Sequence, residues 1–165
     1  MRYRIGIDIG SSCAKTVVLD ETGHIAWHFL QPTGWSSVET ALEIRHKLEA
    51  EGIMLESSSV VATGYGRISV PYAEKYVTEI TCHAKGACRI FNASELLVID
   101  IGGQDTKIIS VENGAVKDFV MNDKCSAGTG RFLEIMSNTL AVKPAELCDM
   151  ASRCGGVSIS SMCTV

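Results

Sequence analysis

One stretch of this chain occurs twice, and the second copy restricts the possible folds more than any other feature. Ile7-Asp8-Ile9-Gly10 recurs 92 positions later as Ile99-Asp100-Ile101-Gly102. Lys15 recurs as Lys107 at the same offset; one residue is then lost, and Gly23 matches Gly114. The same order of elements surrounds both copies. An alternating apolar run (3–9, then 95–101) is followed by a Gly-containing turn and a second run (13–20, then 105–111). A second turn (Glu21-Thr22-Gly23, then Glu112-Asn113-Gly114) leads to a third run (25–31, then 115–121). Period-two alternation is the strand signal, and Gly/Asn-rich breaks are the turn signal. A duplicated sheet whose turns merely need Gly satisfies this pattern, and so does a duplicated phosphate-binding unit.

The remaining pattern is mixed. Ser36 or Ser37 caps a predicted helix running to about Glu51, on which Val38, Ala41, Leu42, Arg45 and Leu48 recur at helical spacing. Glu43 and Lys47 are spaced to pair at i,i+4 on it, and Gly52 stops it. A buried strand is expected at 58–63, a loop at Thr63-Gly64-Tyr65-Gly66-Arg67 and a helix at 79–91. The second copy is followed by a helix from about Thr129 to Leu140 and a short one starting at Pro144, a favoured first-turn residue. Strands and helices interleave, so the fold class is α/β. The 165 residues allow one ordinary domain or two small ones, and the repeat divides them at 1–94 and 95–165.

The repeated residues suit phosphate chemistry. A carboxylate at a strand end, Asp8 or Asp100, is rigidly held at the mouth of a turn. That arrangement suits hydrated Mg2+, which keeps most of its waters and takes few protein ligands. Gly10 and the pair Gly102-Gly103 let the backbone approach a phosphate closely, and Ser11 and Ser12 add hydroxyl donors. Lys15 and Lys107 supply point charges if they face the ligand; strand alternation equally allows either to face solvent. Two such hairpins facing each other would grip a polyphosphate from both sides.

Composition narrows the function classes. The net charge of −4 argues against nucleic acid as a partner, because phosphate backbones require basic patches. No apolar run is long enough to span a membrane, and the N-terminus leads into a strand pattern rather than a signal peptide, so a cytoplasmic protein is expected. Seven cysteines at irregular spacing do not suit a secreted disulfide framework. Cys82 and Cys88 lie six apart on one predicted helix, a poor spacing for one face, and Cys148 and Cys154 form no standard zinc pair. These four and Cys13 read as structural. His83, beside Cys82, reads as a satisfied or exposed histidine. Gly128-Thr129-Gly130 reads either as a phosphate loop or as a turn supporting Cys125.

Two copies of this hairpin resemble the ribonuclease-H-like superfamily of actin, sugar kinases and chaperone ATPases. One branch is matched more closely by Gly6-Ile7-Asp8-Ile9-Gly10-Ser11, Thr63-Gly64-Tyr65-Gly66-Arg67 and Glu79-Ile80-Thr81-Cys82-His83-Ala84. The same branch is matched by Asp100-Ile101-Gly102-Gly103-Gln104-Asp105-Thr106-Lys107, by the stretch from Asn122 to Glu134, and by Ser161-Met162-Cys163-Thr164-Val165. This branch is the ATPase activators of 2-hydroxyacyl-CoA dehydratases and the related benzoyl-CoA reductase subunits. The resemblance implies two ribonuclease-H-like domains with mixed sheets, binding ATP and Mg2+. It implies catalytic roles for Asp8, Asp100 and Gln104, and phosphate contacts from Gly10, Ser11, Ser12, Cys13, Lys15, Gly102, Gly103 and Lys107. It further implies a homodimer sharing one 4Fe-4S cluster on Cys125 and Cys163 of each chain. A reduced ferredoxin or flavodoxin would charge that cluster, and ATP-driven domain motion would deliver its electron to the dehydratase. Four thiolates from a two-fold pair fit a cubane cluster, and a helix beginning after Cys125 would stabilise its charge.

The chain departs from the branch at Cys13, where a Thr or small residue is usual, and by stopping at Val165, so a fragment with an incomplete second domain is expected. Two other classes stay open: a small-molecule kinase of the superfamily, which has no use for Cys125 or Cys163, and a non-catalytic fragment that binds ATP poorly.

Overall fold

The computed structural model describes residues 2–156. The chain divides into two compact units, Met1–Ile90 and Phe91–Val165.

In the first unit, β1 (Arg4–Ile9), β2 (Cys13–Leu19) and β3 (Ile25–Pro32) form an antiparallel meander. Helix α1 (Ser37–Ala50) crosses to β4 (Ser59–Thr63), which pairs with β1 in parallel, and β5 (Lys75–Tyr76) extends the sheet in parallel beyond β4. The sheet is mixed, as expected, in the order β3-β2-β1-β4-β5. Helix α2 (Glu79–Phe91) closes the unit. The two-residue β5 leaves no period-two signal and was missed by pattern reading.

Local chemistry explains α1. Ser36 caps it, accepting from the Glu39 N–H at 3.2 Å. At the other end Gly52, with φ +73°, makes a Schellman ending: its N–H donates to Glu49 O and the Ile53 N–H to Leu48 O, both at 3.0 Å. The expected Glu43–Lys47 pair is bridged instead by the buried Gln31 of β3. Its Nε2 donates to Glu43 at 3.0 Å and its Oε1 accepts from Lys47. The apolar stripe Ala41, Ile44 and Leu48 packs on one face of the sheet, against Ile5, Ile7, Ile9, Ala14, Val18, Val60 and Ala62.

The second unit repeats the meander with β6 (Leu96–Ile101), β7 (Thr106–Glu112) and β8 (Ala115–Asn122). Among the described residues its sheet has only this antiparallel half. Helices α3 (Gly130–Thr139) and α4 (Pro144–Arg153) follow. The repeat extends to register. Asp8 pairs with Lys15, and Asp100 with Lys107. Register slips at Val18/Leu19 in one copy and at Ser110/Val111, the equivalent positions, in the other. The residue lost from the repeat shortens the second turn to Asn113-Gly114. Both have positive φ, 52° and 72°, as a two-residue type I′ hairpin requires.

The two copies bury opposite faces. In the first unit Ile5, Ile7 and Ile9 are at most 2% exposed. Their counterparts Leu97, Ile99 and Ile101 are 61–67% exposed. On the other face, Lys107, Ile109 and Val111 are buried, whereas Lys15 is exposed and Val17 and Leu19 only partly covered. Among the described residues, nothing covers in the second unit the apolar face that α1 covers in the first. An exposed row of Leu97, Ile99 and Ile101 is the kind of apolar patch that marks an interaction surface.

Candidate phosphate-binding turns

Each Asp-x-Gly segment closes a strand pair with the same bond. The Gly10 N–H donates to Cys13 O at 3.1 Å, and the Gly102 N–H to Asp105 O at 2.8 Å. The two glycine amides expected to face phosphate thus tie the turns themselves. The next amides, of Ser11 and Ser12 and of Gly103 and Gln104, make no hydrogen bond among the described residues and lie in exposed or half-exposed bends. Two successive unspent N–H groups on a tight bend are what an anionic oxygen requires. Both turns are tight at their glycines: a Cβ on Gly102 would sit 2.4 Å from Asp105 Oδ1 and displace that side chain, and one on Gly10 would crowd Cys13 O at 3.0 Å.

The two lysines differ because the buried faces differ. Lys15 is 47% exposed at its side chain and reaches Asp8 Oδ2 at 3.0 Å. Lys107 is 3% exposed and lies between two acids, 2.8 Å from Asp105 Oδ1 and 3.4 Å from Asp100 Oδ2. Asp105 has no acidic counterpart in the first turn, where Cys13 stands. Lys107 therefore orients carboxylates, whereas Lys15 has an open side. Gln104 is exposed at the tip of its turn.

Asp8 has further neighbours that sequence reasoning missed. Its Oδ1 is shielded from solvent and makes no hydrogen bond, and neither does Oγ1 of Thr63, its register partner on β4. Gly64, with φ +86°, passes beneath: a Cβ there would lie 2.3 Å from Asp8 Oδ1 and 2.5 Å from Ile9 O. Glu79 and His83 of α2 also arrive here. One carboxylate oxygen each from Asp8 and Glu79 and one ring nitrogen of His83 lie within 4.8 Å of one another. The i,i+4 spacing of Glu79 and His83 on a predicted helix was the available signal. Thr33 straps the first turn, its Oγ1 donating to Gly10 O at 2.7 Å and its N–H to Ser12 O at 3.1 Å.

Cys125 is half-buried in the loop before α3. Asn122 Nδ2 donates to Cys125 O at 3.0 Å and to Ala127 O at 3.1 Å, and Thr129 Oγ1 donates to Ser126 O at 2.7 Å. The loop is thus a built turn. The Gly130 and Arg131 amides donate at 2.8 Å to Gly102 O and Gly103 O, so these two are not free for phosphate and the turn reading of Gly128-Thr129-Gly130 is the better one. Cys163 lies outside the described residues. Cys13, Cys82 and Cys88 are half-buried, and Cys148 and Cys154 are exposed, so the last two fill no core.

Fold and turns together define a ribonuclease-H-like protein in which one acidic, glycine-containing turn occurs twice. Residues 5–165 match the BadF/BadG/BcrA/BcrD ATPase family, and the chain belongs to that family. It is 43% identical to the (R)-2-hydroxyglutaryl-CoA dehydratase activating ATPase of Acidaminococcus fermentans, over 99% of this chain and 64% of that protein. The crystal structure of component A of that dehydratase superposes with a TM-score of 0.88 at 42% identity, over 99% of this chain and 64% of the other. The activator of 2-hydroxyisocaproyl-CoA dehydratase from Clostridium difficile, solved with bound ADPNP, gives 0.86 at 38% identity, covering 98% of this chain and 61% of that one. The chain thus spans just under two thirds of the length of these relatives. No helix among the described residues is long and apolar enough to cross a membrane.

Proposed function

We propose that this chain is the phosphate-binding portion of an ATP-dependent activator of a 2-hydroxyacyl-CoA dehydratase or a related CoA-ester enzyme. The carrying observation is the pair of Asp-x-Gly turns, alike in register and closing bond, each presenting two unspent amides beside a carboxylate. The ADPNP held by the similar C. difficile activator supports ATP as the ligand. Asp8 in the first unit and Asp100 in the second would hold the Mg2+ that accompanies ATP, and Gln104 would share their catalytic role. Gly10, Ser11, Ser12, Cys13, Gly102 and Gly103 surround the phosphates, and Lys15, half-exposed beside Asp8, supplies a positive charge. Lys107 acts through Asp100, which it holds in place. Such a site works by positioning and electrostatics, as phosphoryl transfer requires.

The residues present fit an iron–sulfur cluster at Cys125: a half-buried thiol on a braced turn, a few residues before a helix N-terminus. Cys125 would hold it with Cys163, and the same two positions of a second copy would complete four ligands in a homodimer. When bound, the cluster supplies a low-potential electron, received from a reduced ferredoxin or flavodoxin in the cytoplasm. Asn122 and Thr129 fix the loop that presents it.

The test is activation of a dehydratase by the full-length protein, prepared anaerobically and given a low-potential reductant. Activation that requires ATP and is lost in Cys125→Ser is expected. Activation without ATP, or a protein that is active as a small-molecule kinase and takes up no iron on reconstitution, contradicts the reading.

A further inference from the structure

We propose that Asp8, Glu79 and His83 form a divalent transition-metal site in the first unit, distinct in chemistry from an all-oxygen magnesium shell. The three donors come from rigid elements: the end of β1 and the first two turns of α2. They already lie within 4.8 Å of one another, and all three residues are half-buried. An ion with bonds of about 2.0–2.2 Å gathers such donors by small side-chain rotations.

A second observation at Asp8 points to a ligand. Asp8 Oδ1 and Thr63 Oγ1 are both shielded from solvent and have no hydrogen-bond partner, although they sit on paired residues of β1 and β4. A shielded carboxylate oxygen without a donor is a rarity that a bound ion or water resolves. Gly64 keeps the floor beneath it open, since any Cβ there would overlap that oxygen at 2.3 Å. Lys15 occupies the other oxygen, Oδ2, at 3.0 Å and leaves Oδ1 to the ion.

The donor set selects the ion. Imidazole disfavours Mg2+ and Ca2+, which take oxygen, and one nitrogen with two carboxylates suits Mn2+, Fe2+ or Zn2+. Two carboxylates against one lysine leave a net negative charge to attract it. The site shares Asp8 with the phosphate reading but needs no nucleotide, so it can be tested without one.

The experiment titrates this chain with MnCl2 in the absence of nucleotide and follows bound Mn2+ by electron paramagnetic resonance. Its pulsed form detects nitrogen coupled to the metal. One bound Mn2+ with histidine nitrogen coupling is expected. His83→Gln should remove that coupling and weaken binding at least roughly tenfold, and Glu79→Gln should weaken binding while the coupling stays. The chain has three other histidines, so coupling that persists in a folded His83→Gln overturns the site, as does parent protein without coupling. If His83→Gln does not fold by circular dichroism, Glu79→Gln decides: unchanged affinity overturns the proposal. A protein that binds Mn2+ this way yet never hydrolyses ATP would sink the activator reading and leave this one standing.

Discussion

Replacing Ile7 and Ile99, which occupy the same place in the repeat, by alanine should have very different costs. Ile7 is 0% exposed, within the core that α1 covers. Truncation there removes its transfer energy and leaves a cavity between packed neighbours, about 2–5 kcal/mol in total. Ile99 is 62% exposed, so most of its surface is already in water and little cavity forms. Its truncation should cost at most about 1 kcal/mol. Both tryptophans, Trp27 and Trp35, lie in the first unit, so urea unfolding followed by fluorescence reads Ile7→Ala directly. Amide hydrogen exchange of β6 and β7 reads Ile99→Ala, with protection expected to fall less than roughly sixfold for 1 kcal/mol. Equal losses at the two positions would refute the opposite burial of the repeats and imply that the β6 face is covered.

Three further outcomes follow from named contacts. Lys107→Met leaves Asp100 and Asp105 facing each other without their cation and should destabilise by about 2–4 kcal/mol, whereas Lys15→Met, at a half-exposed pair, should cost less than about 1 kcal/mol in denaturant unfolding. Ala141 ends α3 with φ 54°, the position glycine holds after α1, so Ala141→Gly should stabilise α3 by roughly 0.5–1 kcal/mol, read as slower hydrogen exchange in its last turn. The carboxyl of Asp20 is lowered below 3.8, first by the Thr22 hydroxyl and then by the His24 N–H. A depressed acid stabilises above its unfolded value and loses that contribution as pH falls through the folded one. An NMR titration should therefore place its midpoint below 3.8, and Asp20→Asn should flatten the stability profile in that acid range only.

Much of this was legible because repetition and periodicity are backbone signals. Asp8 and Asp100 share a register, as the sequence match implied, and Ser36 and Gly52 punctuate α1 by chemistry that needs no tertiary context. The rest depended on packing across distance in sequence. Alternation gives Ile7 and Ile99 identical surroundings in pattern, and only the helix laid on one face separates them. It likewise left the direction of both lysines open, and burial decided that Lys107 lies between two acids while Lys15 stays half in water. Gln31, far from Glu43 and Lys47 in the chain, intercepts their expected pair. Glu79 and His83 reach Asp8 only because α2 returns to the end of β1.

The central claim is that both acidic turns serve phosphate chemistry, and it is tested most directly by Mg2+-dependent ATP hydrolysis in the intact protein carrying Asp8→Ala or Asp100→Ala. Circular dichroism and unfolding midpoints establish that each variant remains folded. The account requires hydrolysis to be abolished in each variant separately. Hydrolysis at the parental rate in either one would contradict it.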